Sequence, residues 1–160
     1  MRLSGAAPDT YSGYMRPGGG LHTWNLGVYQ DAADQVRQII ACLDAALASG
    51  FREEEITVLS FVAEPQSVLP LLRKTYRRSL VAAGGTAGTK GILCSTVFAY
   101  KGLENKVIII TDVTPSENGL DCSRFYTGIT RAQERLHLFC HASGASQLAE
   151  RVTSTGKEHE

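Results

Sequence analysis

The stretch GILCSTVFAYKGLENKVIIITDV, residues 91–113, contains two apolar runs separated by a polar turn. Each run is rich in β-branched residues and is too short for a typical helix, so each predicts a strand that is covered on both faces. The first strand is expected to end near Val97, because the turn from Lys101 to Asn105 is polar and contains a glycine. The stretch therefore predicts two strands of a buried sheet.

Outside this stretch, apolar runs alternate with segments of helical period. Strands are predicted at residues 21–29, 56–62, 91–97, 106–113 and 135–141. Helices are predicted at residues 31–49, 65–80 and 122–133, with a last helix that starts at Ser143 and frays toward Glu160. Asp31 is the expected N-cap of the first helix, and Gly50 the expected stop. Because parallel strands need helical crossovers, the fold class is predicted as α/β, with a mainly parallel sheet of about five strands and helices on both faces.

The domain organisation follows from length and composition. The chain has 160 residues, of which 43% are hydrophobic, and this predicts one domain with a core rather than two. Residues 1–20 end in Pro17 and three glycines, so they are expected to form a flexible linker or the edge of a longer chain. The domain itself is expected to span residues 21–155, with a disordered tail at residues 156–160.

Charge and cysteine usage exclude several protein classes. Lysine plus arginine and aspartate plus glutamate both number 16, so any contact with nucleic acid must be local rather than a broad basic field. No apolar run approaches the roughly 20 residues of a membrane helix, and no signal peptide follows Met1. The four cysteines lack metal-ligand spacing. The composition predicts a cytoplasmic protein with reduced thiols and no metal site.

The turn after the strand at residues 91–97 has ligand-binding chemistry. Open parallel sheets usually place ligands beyond the carboxyl ends of their strands. Lys101 offers a cation for phosphate, Gly102 would let the backbone approach a ligand, and Glu104 would accept hydrogen bonds from ribose hydroxyls. A solvated polar turn explains the same four residues, KGLE, and the turn alone does not decide between the two.

The segment CSRFYTGITRAQ, residues 122–133, raises a similar choice. If it is helical, one face carries Arg124, Gly128, Arg131 and Arg135. A mid-helix glycine costs about 0.5–1 kcal/mol relative to alanine, which indicates close approach of a backbone, a side chain or a ligand at Gly128. A solvated basic stripe beside a tolerated glycine explains the segment equally well.

Together, the two segments resemble motifs V and VI of superfamily 1 helicases of the UvrD, Rep and PcrA type. In that family a strand runs into a K-G-L-E turn, and a Y-V-A-x-T-R-A helix precedes an R-L strand; this chain has KGLE at residues 101–104 and YTGITRA at residues 126–132. The run ITVLSFV with Gln66 and Ser67 resembles motif IVa. The resemblance spans about residues 21–152. It implies the C-terminal RecA-like domain, called 2A, which has a P-loop NTPase-type fold without its own P-loop.

The resemblance implies a role for each matching residue. Arg131 would be the catalytic arginine that reaches the γ-phosphate of ATP across the cleft between two RecA-like domains. The implied cofactor-binding residues are Lys101, Gly102, Glu104 and Thr130, and the implied nucleic-acid contacts are Thr96, Phe98 and Tyr100. Phe98 and Tyr100 depart from the family, which usually has a histidine and a small residue there. An aromatic ring at either position would stack on a base or pack in the core.

Other family features are missing from the chain. It contains no GxxxxGK[ST] phosphate loop: GGTAGTKG at residues 84–91 comes nearest, but a glycine follows Lys90 where serine or threonine is needed. ATP and Mg²⁺ are therefore expected in a full-length parent and not in this segment alone, which is expected to be inactive. The implied partners are the N-terminal RecA-like domain of the same parent and single-stranded or partly duplex DNA, with RNA not excluded.

Two other functions remain open. One is a helicase-like adaptor that binds protein or nucleic acid without catalysis. The other is an independent enzyme, for which His22, His137 and His141 are the candidate bases. His137 and His141 lie in an apolar strand, which favours a structural role for both.

Overall fold

A computed structural model describes residues 10–13, 23–82, 90–100, 102–114 and 121–145. The described residues form seven strands and three α-helices. The strands are β1 Thr10–Gly13, β2 Thr23–Tyr29, β3 Ile56–Ser60, β4 Leu80–Ala82, β5 Ile92–Thr96, β6 Asn105–Val113 and β7 Ala132–His141. The helices are α1 Ala32–Ala48, α2 Leu69–Thr75 and α3 Cys122–Ile129.

All seven strands join one sheet in the order β1-β2-β7-β6-β3-β5-β4. The pair β1 and β2 is antiparallel, and the other five pairs are parallel. The prediction of an α/β fold with a mainly parallel sheet is confirmed.

Strand β6 lies near the centre of the sheet, and its side chains alternate between two hydrophobic cores. Val107 and Ile109 belong to the core that contains residues of α1 and α2, whereas Ile108 and Ile110 belong to the core under α3. All four are 0% exposed. Since burying one such side chain contributes roughly 1.5–3 kcal/mol, this run has a large share in the stability of the sheet.

Helix α1 agrees with its prediction because its signals are local. The Asp31 carboxylate accepts a hydrogen bond from the Asp34 backbone N–H at 2.8 Å, which caps the first turn. Gly50 follows the helix with φ +100°, a left-handed conformation that favours glycine.

The second helix differs from its prediction at residues 65–80. A 3₁₀ turn at Glu64–Gln66 comes first, and α2 spans only Leu69–Thr75. Tyr76 adopts an extended backbone because its ring is buried and its hydroxyl donates to Asp44 Oδ1 at 2.9 Å. The helix ends at this long-range contact, and the chain continues into β4.

The remaining differences lie near the chain ends and at β4. Strands β1 and β4 were not predicted; β1 lies inside the segment 1–20 and pairs with β2. A 3₁₀ turn at Ala142–Gly144 stands where the last helix was expected to start. The rest of that helix and the tail at residues 156–160 lie outside the described residues.

Two edges of the sheet matter for function. The carboxyl edge contains the ends of β3, β5 and β6, at Ser60, Thr96 and Val113. The amino edge contains the starts of β3, β6 and β7, at Ile56, Asn105 and Ala132. Since these strands are parallel, all the starts lie on one side and all the ends on the other. Within the described ranges, no helix is long and apolar enough to span a membrane.

Candidate functional site

Glu104 and Arg131 lie together at the amino edge. Each is the residue immediately before a strand, and those strands, β6 and β7, are parallel neighbours with Asn105 opposite Ala132. The Asn105 backbone N–H donates to the Arg131 carbonyl oxygen at 3.1 Å. The placement of the whole KGLE turn beyond a strand's carboxyl end was therefore wrong. The segment after Thr96 starts at that edge but crosses one face of the sheet, so Gly102 and Glu104 belong to the amino edge.

Hydrogen bonds to two nearby residues, Thr127 and Thr130, hold the Arg131 side chain in place. Its Nε donates to the Thr127 carbonyl oxygen at 3.1 Å, and its Nη2 donates to Thr130 Oγ1 at 3.1 Å. The side chain is half-buried, and no carboxylate within the described part of the chain forms an ion pair with it. A planar, permanently charged guanidinium fixed in this way is suited to an anion supplied by another molecule.

The neighbouring residues of the KGLE turn have different surroundings. Gln133 Nε2 donates to Glu104 Oε2 at 3.3 Å, and the Glu104 side chain is exposed. Gly102 has φ +85°, and a Cβ placed there would meet nothing within 4 Å. The glycine is therefore needed for the turn conformation rather than for a close approach within this chain. Lys101 lies outside the described residues.

Tyr100 lies beneath this edge and is 4% exposed. The predicted nucleic-acid contact at Tyr100 is corrected: its ring packs in the core with Phe125, and its hydroxyl lies 3.5 Å from Thr57 Oγ1. Burial is the main cause that raises the Tyr100 pKa, while the Thr57 hydrogen bond and Arg131 lower it and Glu104 raises it. Glu104 and Arg131 thus affect the pKa of the same buried hydroxyl in opposite directions.

Helix α3 is shorter than predicted, and this separates the four residues expected on one face. The helix ends at Ile129, Arg131 lies in the following turn, and Arg135 lies in β7. The strand pairing of β6 with β7 begins at Ala132 and competes with helix from that point. Arg135 donates to Ser49 Oγ at 3.2 Å and lies over the Phe51 ring, so it is bound within this chain.

Gly128 marks the closest approach of α3 to the sheet. A Cβ placed there would lie 2.7 Å from Ile110 Cδ1 and 3.5 Å from Val97 Cγ2. The close approach that the mid-helix glycine predicted is therefore made by Ile110, a core side chain of β6. This contact holds α3 against the strands that carry the site.

Thr96 and Phe98 occupy the carboxyl edge. Thr96 Oγ1 accepts from the Ala99 backbone N–H at 3.2 Å, which holds the first turn after β5. Phe98 is 59% exposed, unlike Tyr100 two residues later. Of the two aromatic residues predicted as nucleic-acid contacts, Phe98 is thus the accessible one.

The sequence reasoning missed Asp112, a buried carboxylate at the same edge. It accepts side-chain hydrogen bonds from Gln35, Ser60, Ser67 and Thr111 at 2.8–3.0 Å, and one from the Val68 backbone N–H at 3.2 Å. Its own backbone N–H donates to Gln35 Oε1 at 2.8 Å, and its φ of 62° coincides with an irregularity in β6. The available signal was the one acidic residue of β6, which follows the apolar run at residues 107–110. With both oxygens already surrounded by donors, Asp112 fixes the ends of β3 and β6 to α1 and α2.

The candidate bases have structural environments. Asn25 Nδ2 lies 3.4 Å from His137 Nδ1, and burial is the main cause that lowers the His137 pKa to about 4. His141 contacts Ser143 Oγ at 2.8 Å and the Gln30 carbonyl at 3.1 Å. His22 lies outside the described residues. Burial raises the cysteine thiol pKa to about 12 at Cys42, Cys94 and Cys140.

Comparison with known proteins supports the motif assignments. Residues 91–139 match the model of the UvrD-like helicase C-terminal domain. This segment runs from β5 to most of β7 and contains both the KGLE turn and the TRA sequence. The stated resemblance is therefore confirmed over residues 91–139, which contain the segments compared with motifs V and VI.

Solved structures give the same fold. The chain is similar to the crystal structure of the C-terminal domain of a possible DNA helicase from Lactobacillus plantarum WCFS1, with a TM-score of 0.59, 16% identity and 72% coverage of each chain. At this identity the likeness shows a shared fold. No curated protein matches the chain.

Proposed function

We propose that this chain is the second motor domain of an ATP-dependent DNA helicase, and that Arg131 acts on ATP held by the N-terminal RecA-like domain of the same parent. The match of residues 91–139 to UvrD-like helicase C-terminal domains is the premise. The proposal depends on one observation. Hydrogen bonds to Thr127 and Thr130 hold the Arg131 guanidinium beside Glu104, and no carboxylate in the described part of this chain forms an ion pair with it. Its preferred partner is an anion from outside the domain.

The chemistry of this edge fits a nucleotide. ATP, when bound with Mg²⁺ by the other domain, supplies a γ-phosphoryl group whose surroundings must stabilise negative charge during transfer. The planar Arg131 fork would contribute to that stabilisation without any proton transfer. Thr130 would orient the fork, Glu104 would accept from ribose hydroxyls, and Lys101 and Gly102 would shape the phosphate-facing turn.

The opposite edge would carry the single-stranded DNA. Thr96 and Phe98 lie there, at the end of β5 and in the turn that follows it. This arrangement separates the nucleotide contacts from the nucleic-acid contacts by the length of a strand. The domain alone would hydrolyse no ATP, since the residues that hold the nucleotide belong to the other domain.

The test is ATP hydrolysis by the full-length parent with saturating single-stranded DNA. Arg131→Ala is expected to lower kcat by about three to five orders of magnitude, the range for an arginine that stabilises phosphoryl transfer. Arg131→Lys is expected to remain strongly impaired, because a lysine does not reproduce the bidentate fork. Arg135→Ala is the matched control: it removes an arginine from the same edge and should leave kcat unchanged. Normal hydrolysis by Arg131→Ala would exclude the proposal and favour a non-catalytic adaptor.

A further inference from the structure

Asn105, the first residue of β6, lies between the two charged residues of the amino edge. It follows Glu104 directly and pairs with Ala132, the residue after Arg131. Its backbone N–H donates to the Arg131 carbonyl oxygen at 3.1 Å. The register of β6 against β7 shifts between Asn105 and Val107, so the regular strand ladder is interrupted next to this contact. The position of Arg131 relative to Glu104 therefore depends on what holds Asn105.

The side chain of Asn105 is anchored to the start of β3 and the 3₁₀ turn before it. Its Nδ2 donates to the Glu54 carbonyl oxygen and to Thr57 Oγ1, both at 3.0 Å. Its Oδ1 accepts from the Lys106 backbone N–H at 2.9 Å. Both amide hydrogens are thus used, and a reversed amide would place its oxygen against the Glu54 carbonyl oxygen. These contacts fix the orientation of the amide and tie it to β3.

The contact with Thr57 continues below the edge. Thr57 is 0% exposed, and its hydroxyl also lies 3.5 Å from the Tyr100 hydroxyl. Tyr100 is itself buried and immediately precedes the KGLE turn. One amide side chain and its backbone N–H therefore connect β3, the residue before β7 and the segment that leads to Glu104.

We propose that Asn105 is a positioning residue for the ATP hydrolysis assigned to Arg131. This role deepens the proposed function, on which it rests. The hydrogen bonds to Thr127 and Thr130 hold the guanidinium within its own turn, whereas Asn105 connects that turn to the central strands. A displacement of about 1 Å in a reacting geometry costs on the order of 10²-fold in rate. Asn105 thus acts through Arg131 and contributes no chemistry of its own.

The first test is ATP hydrolysis by the full-length parent with saturating single-stranded DNA. Asn105→Ala is expected to lower kcat about 10- to 100-fold and to leave the DNA concentration for half-maximal activity unchanged. Asn105→Asp keeps the acceptor for Lys106 but loses both donated hydrogen bonds, so it should lower kcat as much as Asn105→Ala. Tyr76→Phe, which removes the hydrogen bond to Asp44 in the other core, is the control and should keep the normal kcat.

A double variant separates positioning from a loss of folded protein. Because Asn105 acts through Arg131, Asn105→Ala should change kcat by less than about twofold in the Arg131→Ala background. A loss of folded protein would lower the rate by the same factor in both backgrounds. Thr57→Val removes one acceptor of the amide and keeps the side-chain shape, so it should lower kcat by a smaller factor and keeps the test valid if Asn105→Ala folds poorly. Normal kcat for Asn105→Asp, or equal losses in the two backgrounds, would overturn the positioning role.

Nuclear magnetic resonance of this chain gives a second measurement that needs no ATP. The Arg131 Nε–H donates to the Thr127 carbonyl oxygen and should give a slowly exchanging signal. That signal should be lost in Asn105→Ala and kept in Tyr76→Phe, and its persistence in Asn105→Ala would contradict the positioning role. Normal hydrolysis by Arg131→Ala would exclude the proposed function itself, whereas normal hydrolysis by the Asn105 variants alone would exclude only the role of Asn105.

Discussion

The two edges of the sheet use charged residues in opposite ways. At the carboxyl edge, Asp112 is buried, and its carboxylate accepts hydrogen bonds from side chains and backbone of this same chain. At the amino edge, Arg131 and Glu104 border the solvent and have few protein partners among the described residues. A buried charge whose hydrogen bonds are made within the chain stabilises the fold. A charge that is held in place without an ion-pair partner is suited to binding another molecule.

The first way to test this contrast compares the stabilities of Asp112→Ala and Arg131→Ala. Asp112→Ala leaves several buried donors without an acceptor and should lower the free energy of unfolding by roughly 3–5 kcal/mol. Arg131→Ala should change it by less than about 1 kcal/mol, since the side chain makes two hydrogen bonds near the surface. Urea denaturation of both variants measures the difference.

Asp112→Asn serves as the control in the same experiment. Asparagine tolerates the positive φ and keeps one acceptor oxygen, so its loss of stability should be smaller than that of Asp112→Ala. Equal stability losses for Asp112→Ala and Arg131→Ala would remove the distinction between the two edges.

The second prediction concerns α3, which connects the edges by carrying Arg124 in its first turn and Arg131 just beyond its end. Gly128→Ala places a Cβ 2.7 Å from Ile110 Cδ1. The crowding costs about 1–3 kcal/mol, and the gain in helix propensity offsets about 0.5–1 kcal/mol of it. The expected net loss of unfolding free energy is about 1 kcal/mol by thermal denaturation.

The double variant Gly128→Ala with Ile110→Val isolates the contact. Valine lacks the Cδ1 methyl, so the two substitutions together should cost less than the sum of their separate effects. Strict additivity would show that the glycine is not there to admit Ile110.

The smallest effect is expected from a half-buried ion pair at the amino edge. Glu55 accepts from the Arg52 backbone N–H, which is the main cause that lowers its pKa to about 2, and Lys106 Nζ lies 2.9 Å away. Because the folded pKa lies below the ordinary value of 4.5, its contribution is present above pH 4.5 and is lost as the pH falls toward 2. Glu55→Gln should therefore flatten the pH dependence of Tm in that window.

Salt provides the control for this pair. High salt at neutral pH should reduce the difference in Tm between Glu55→Gln and the unmodified chain, since the Lys106 side chain is 44% exposed and dissolved ions screen the pair. A difference that persists at high salt and at pH 2 would show that Glu55 acts through packing instead.

Local patterns predicted the elements that depend on neighbours in sequence. The isoleucine run of β6 and the caps of α1 were read correctly because apolar content and capping residues are local signals. The end of α3 was missed because the three-four spacing continues through Arg131, while pairing of β7 with β6 takes the chain out of the helix. The short strand β4 has three residues and no periodicity to detect.

The residues of the candidate site were likewise found partly from local sequence patterns and partly only from the fold. The KGLE and TRA sequences identified Glu104 and Arg131, but their shared edge depends on the pairing of two strands. Arg124 contacts Phe61 across 63 positions, and Asp112 contacts Gln35 across 77. No local pattern encodes such contacts, so the contact of Arg124 with Phe61 and the buried carboxylate could be found only in the folded chain.

The proposed assignment of the nucleotide to the amino edge and of the nucleic acid to the carboxyl edge is tested most directly by ATP hydrolysis. The rate is measured for the full-length parent as a function of single-stranded DNA concentration. Phe98→Leu should raise the DNA concentration for half-maximal activity and leave the maximal rate unchanged. Arg131→Ala should abolish the maximal rate and leave the DNA affinity, measured by fluorescence anisotropy, within about twofold. If both variants changed the same parameter, the assignment of nucleotide to the amino edge and nucleic acid to the carboxyl edge would be contradicted.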